Sequence, residues 1–128
     1  MPEPCSFDYA VLRVVPNVER EEFINVGVIL FCRVNKFLGV RTHLDVQRLS
    51  ALAPDLDLSL VQAQLDLLPR ICAGGAEAGP LGELNQVERF RWLTSPRSTS
   101  VQVSPVHEGI CDDPRVALDD LFEKLVYL

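Results

Sequence analysis

The chain has 128 residues, 48% of them hydrophobic and 23% charged, and a formal net charge of −6. This length and composition predict a single folded domain with its own core over residues 1–128, and they exclude a disordered chain. The acidic balance speaks against nucleic acid as a partner, because that affinity is largely phosphate neutralisation by lysine and arginine. The longest apolar run, Val26 to Cys32, is far too short to span a bilayer.

The opening "MPEPCSFDYA" has neither a basic leader nor an apolar signal core. The expected location is therefore cytoplasmic. Cys5, Cys32, Cys72 and Cys111 are expected to be reduced thiols packed as small apolar residues. None lies two to four residues from another, so the short-spaced pairs of zinc sites are missing and no metal is expected.

Phe7 to Val15 alternates imperfectly and reads as a strand that stops before Pro16. "NVEREEF" is a polar connection or one helical turn. Its contiguous glutamates suit a solvated loop better than a metal site, which needs carboxylates converging from different elements. Phe23 to Val34 is almost continuous in Val, Ile and Phe, the pattern of a strand covered on both faces. Gly27 inside it predicts a bulge or a close backbone approach. "NKF" then turns the chain into a third strand, "FLGVRTH", forming a hairpin with the second.

From here the period becomes helical. Val46 and Leu49 follow Asp45 as N-cap, and Pro54 ends the helix. Leu58, Val61, Leu65 and Leu68 share the face of a second helix, started at Asp57 or Ser59 and stopped by Gly74 and Gly75. Pro69 is expected to kink or shorten it. "AGGAEAGPLGELNQ" reads as a loop. "VERFRWLTS" and "STSVQVSPV" both alternate, predicting two more strands joined by a turn at Ser95 and Pro96. Asp113 and Pro114 then open an amphipathic helix running to about Tyr127, with Leu118, Leu121, Phe122, Leu125 and Val126 as its apolar face. The expected fold class is α+β: an antiparallel sheet of about five strands, with helices mainly on one face and the C-terminal helix docked on the sheet.

The residues best suited to chemistry cluster late. Arg91 and Arg97, with Ser98 and Thr99, offer the guanidinium and hydroxyl donors that bind phosphate or carboxylate. On a strand, Arg89 and Arg91 would point to the same side. His107 is the candidate acid or base; Glu108, next to it, would face the other way. A cysteine paired with His107 is a further arrangement of nucleophile and base. No Walker lysine, dinucleotide glycine fingerprint or nucleophile elbow is present, so no cofactor is expected.

"YAVLRVVPNVEREEFINVGVILF" and "RFRWLTSPRSTSVQVSPVHEG" resemble a bacterial family known as domain of unknown function 3037, and the resemblance spans essentially the whole chain. The family carries no established activity or catalytic residue. What the resemblance implies is a small cytosolic bacterial protein, with genes of the family standing beside a HipA-like kinase as a hint of partnership. Within the two segments lie Asn25 and Gly27, then Arg91, Trp92, Thr94, Arg97, Ser98, Thr99, Ser104 and His107.

Three functions compete. The first is a non-catalytic protein-interaction module using the Arg91–His107 hairpin or an open sheet edge, with a kinase-like partner or a second copy of the chain as a homodimer. The second is a small enzyme or ligand-binding domain for a phosphorylated or carboxylated molecule, with Arg91 and Arg97 on the anion and His107 as acid or base. The third, single-stranded nucleic acid stacked on Trp92, is opposed by the net charge.

Overall fold

The computed structural model describes residues 4–96 and 100–127. Among these, five strands form one antiparallel sheet: β1 (Cys5–Val14), β2 (Ile24–Cys32), β3 (Phe37–Thr42), β4 (Val101–Val103) and β5 (His107–Cys111). Four α-helices complete an α+β fold: α1 (Val46–Leu52), α2 (Leu58–Ala73), α3 (Gln86–Leu93) and α4 (Pro114–Leu125). A short 3-10 turn at Val18–Arg20 links β1 to β2. The Ala76–Glu83 stretch, expected as a plain loop, winds into 3-10 turns broken at Gly79, whose φ is 66°.

The strand order is β3-β2-β1-β4, with β5 also pairing β1. β4 lies beside residues 12–14 of β1 and β5 beside residues 5–9, so the two share one edge of the sheet. Between them Pro105 has no N–H to give. Ser104 holds the junction instead: its backbone N–H donates to the Val11 carbonyl at 2.8 Å, and its Oγ accepts from the Val11 N–H at 2.8 Å.

β2 carries a bulge. Leu12 pairs with Gly27 but Arg13 with Asn25, leaving Val26 as the extra residue. The Val26 carbonyl is satisfied by the His43 N–H at 2.7 Å. The bulge reverses the inside–outside alternation, so Ile24 and Val26 reach the same core as Ile29 and Phe31. Gly27 is required there, because a Cβ would meet the Arg41 carbonyl oxygen at 2.6 Å.

The sheet separates two cores. One face packs Leu12, Val14, Ile29 and Phe31 beneath α1, α2 and α3. The other packs Phe7, Val28, Leu30 and Cys32 beneath Leu118, Phe122 and Val126, one residue per turn of α4 and its end. Three helices thus share one face, while the C-terminal helix covers the opposite face alone. Caps fall where expected: Asp45 accepts from the Arg48 N–H, Asp57 from Leu60 and Asp113 from Arg115. Pro69 does not end α2, which runs on to Ala73 and buries Ile71 and Cys72 beyond it. Burial of that last turn outweighs the one backbone bond that Pro69 lacks.

One element was misread. "VERFRWL" is α3 and not a strand, so the Arg91–His107 stretch is no hairpin. Its two-residue alternation coexists with a helical one, since Val87, Phe90 and Leu93 recur every three residues. The tertiary core selects the helix, burying Phe90 and Leu93. Asn85 caps it, accepting from the Glu88 N–H at 2.9 Å while its amide donates to Glu88 Oε1 at 3.0 Å. The strand that the sequence reading lacked is β5.

Candidate functional site

The helical state of residues 86–93 redistributes the residues singled out above. Arg91 lies exposed in the last turn of α3, where its carbonyl accepts from Ser95 Oγ at 2.7 Å. Thr94 Oγ1 likewise donates to the Phe90 carbonyl at 2.8 Å, so these hydroxyls finish a helix. His107 is exposed on β5, its ring 5.3 Å from that of Tyr9, which packs with the α4 core. Since α3 covers the other face, Arg91 and His107 sit on opposite sides of the sheet and are not brought together. Arg97, Ser98 and Thr99 lie outside the described residues.

Arg89 and Arg91 do not share a side either. Arg89 is 8% exposed. Its Nη1 donates to the carbonyls of Ile71 and Cys72 at 2.8 and 2.7 Å, and its Nε to Leu84 at 3.1 Å. A cation at the carboxyl end of α2 complements both the orphan carbonyls and the helix dipole. Gly74, at φ 76°, leaves the room: a Cβ there would lie 2.8 Å from Arg89 Nη1. Arg89 is a structural clamp that sequence reasoning missed. The clue was the Asn85–Glu88 spacing, which makes "VERFRWL" a helix and turns Arg89 toward α2. Burial raises the neighbouring Cys72 thiol to about 12, with Arg89 opposing the rise, so Cys72 stays a protonated core residue.

A surface that the sequence reading did not anticipate lies along α2. Val61, Leu65, Leu68 and Cys72 form the stripe that faces the sheet. One step around the helix, Leu60, Gln64, Leu67 and Ile71 repeat the same spacing as a second stripe. Where it meets α3 and β4 there is a groove of about 350 Å³, lined by Leu67, Leu68, Ile71, Trp92, Pro96 and Val101. Leu67 is 51% exposed and Trp92 41%. Gln64 also lines this groove and marks its junction with a second cavity of about 490 Å³. Gln64 Oε1 is buried and has no hydrogen-bond partner among the described residues. Leu52, Leu56 and Leu60 form the apolar wall of the second cavity, and Glu22, Asp55 and Asp57 give it an acidic rim. Arg20, the basic residue among the described lining, is paired with Glu22. Among the described residues, no group of three or more His, Cys, Asp or Glu is arranged to hold a metal, and no helix is long and apolar enough to cross a membrane.

These features define an α+β fold with an apolar groove where two helices cross one face of its sheet. The chain belongs to the family described as Protein of unknown function (DUF3037), matching its model over residues 9–126. No curated protein and no solved structure matches it.

Proposed function

We propose that the chain is a non-catalytic interaction module that seats an apolar segment of a partner protein in the groove between α2 and α3. The observation that carries this reading is the second apolar stripe of α2: Leu67 stands exposed beside Trp92, exposed Leu60 continues the stripe into the adjoining cavity, and aromatic anchors of this kind dominate binding energy. The acidic rim of the adjoining cavity favours a segment with a basic residue next to its apolar anchors and disfavours a phosphorylated one.

A HipA-like kinase, the partner class suggested by the family resemblance, is the first protein to titrate. Trp92 is the single tryptophan of the chain, so its emission reports the groove once the partner's tryptophans are replaced or subtracted. Docking should shift that emission to the blue, and Leu67→Asp should weaken binding tenfold or more while leaving the melting temperature nearly unchanged. Binding unaffected by Leu67→Asp would move the interface elsewhere. A thermal shift with inorganic phosphate that disappears in Arg91→Ala would replace this reading with the anion-binding one.

A further inference from the structure

Three of the four cysteines, distant in sequence, meet at one end of the sheet. Cys5 begins β1, Cys32 ends β2 and Cys111 ends β5, and all three pack with the α4 core. Cys5 Sγ lies 3.2 Å from Cys32 Sγ and 3.9 Å from Cys111 Sγ. The Asn35 amide donates to Cys5 Sγ at 3.3 Å. Cys72 belongs to the other core. All four are free thiols.

The backbone decides which pair can bond. Cys5 and Cys111 are direct partners in the antiparallel β1–β5 pairing. Such partners have Cα atoms about 4.5–5.5 Å apart, inside the span of about 4.4–6.8 Å that a disulfide accepts. Continuing the Asp8–Phe31 pairing sets Cys32 opposite Phe7, which makes it a diagonal neighbour of Cys5. Diagonal neighbours lie about 7–8 Å apart, too far to be bridged without backbone movement. The shorter sulfur contact is therefore not the one that closes.

Access points the same way. Cys5 and Cys32 are buried, whereas Cys111 is half-buried and open to a reagent. Burial pushes the Cys111 thiol up; the Cys5 thiol directed at it draws it partly back, and Cys32, Asp112 and Asp113 add to the rise. At neutral pH the Cys111 thiol is thus mostly protonated, and its exchange is slow and base-dependent.

We propose that Cys5 and Cys111 form a reversible disulfide site, oxidised by a small-molecule disulfide such as oxidised glutathione, that staples the edge strand β5 to β1. Cys111 loses its proton and its sulfur attacks one sulfur of oxidised glutathione. That S–S bond breaks, and one glutathione leaves as a thiolate that takes up a proton. The Cys5 thiol then gives up its proton and attacks Cys111 Sγ, expelling the second glutathione in the same way. Two protein thiols are oxidised and one glutathione disulfide is reduced to two thiols. Cys32, beside Cys5 but in the wrong register, stays reduced. Because β5 runs directly into the Asp113 cap of α4, the bond also ties the start of that helix to the sheet.

The test equilibrates the full chain in glutathione buffers of rising oxidised fraction, blocks free thiols with iodoacetamide and maps peptides by mass spectrometry. Cys5 and Cys111 should appear in one joined peptide, released by dithiothreitol, with Cys32 and Cys72 alkylated after unfolding. Closure should accelerate with pH and should raise the melting temperature by about 10 °C or more, as for a loop of about a hundred residues. Cys32→Ser should still close. A Cys5–Cys32 bond, a lasting glutathione adduct on Cys111, or four alkylated thiols in the most oxidising buffer would each overturn the assignment. This mapping on the unsubstituted chain decides even if Cys32→Ser fails to fold.

Discussion

The two faces of the sheet are covered in different ways. The α1–α3 face is a broad core fed by three helices, so its apolar contacts are shared among many side chains. The α4 face depends on one helix and three principal side chains, Leu118, Phe122 and Val126, supplemented by polar fastenings. The Asn25 amide donates to the Leu125 carbonyl at 3.0 Å, and Arg41 both pairs with Asp119 at 2.8 Å and lies 4.3 Å over the Phe122 ring. The difference separates redundancy from reliance. The crowded face has helix surface left over for a groove, while the single-helix face concentrates its stability in a few residues.

The largest expected effect follows from that reliance. Phe122 is 1% exposed, touches Tyr127 edge-on at 5.0 Å and carries Arg41 on its ring. Phe122→Ala should cost about 3–5 kcal/mol, read as a lower urea midpoint. Hydrogen exchange should show α4 opening before α2. Simultaneous opening of both helices would mean that the two cores behave as one cooperative unit and that the contrast between the faces has no energetic content.

On the crowded face the most exposed weakness is polar. Arg89→Met keeps the volume and apolar stem but leaves the carbonyls of Ile71, Cys72 and Leu84 without their donor. Each orphaned buried group is costly, and the variant should lose about 2–3 kcal/mol, with the end of α2 and the Ala76–Glu83 turns exchanging fastest. A loss below about 0.5 kcal/mol, the level of an ordinary surface substitution, would mean that the carbonyls find other donors and that Arg89 is no clamp.

Arg89 also marks the limit of what could be read from sequence. The first three strands, the hairpin, the bulge at Gly27 and three N-caps were legible because each rests on a local signal: a run of β-branched residues, a glycine in a strand, an Asp before a helical period. "VERFRWL" carries two periods at once, and only the core beneath it selects the helical one. β5 was hidden for the opposite reason. Its residues are mostly exposed, with Ile110 at 77%, so no alternation of burial marks it as a strand. The groove went unread: Leu60, Leu67 and Ile71 recur at helical spacing, but that this second stripe stays open and that Trp92 joins it depend on how α3 packs. The meeting of Cys5, Cys32 and Cys111 follows from strand pairing, which spacing along the chain does not encode.

The smallest expected effect is set by pH and falls on the crowded face. Asp57 caps α2, and its carboxyl is held below the ordinary range, first by the Ser59 hydroxyl at 2.6 Å and then by the Leu60 N–H. A carboxyl whose folded pKa lies below its unfolded one binds protons more readily in the unfolded chain. Its contribution is therefore complete above the unfolded value, near the ordinary carboxylate range, and is lost as the pH falls through the lower folded value. Asp57→Asn retains an acceptor for the cap but has no proton to exchange. The variant should have nearly the same denaturant midpoint as the parent at neutral pH and should lose less stability on acidification, with the difference confined to the first turn of α2. Denaturant midpoints at neutral and acid pH measure this directly. Parallel losses in the two proteins would place the acid-sensitive group elsewhere and leave the start of α2 no more pH-dependent than α4.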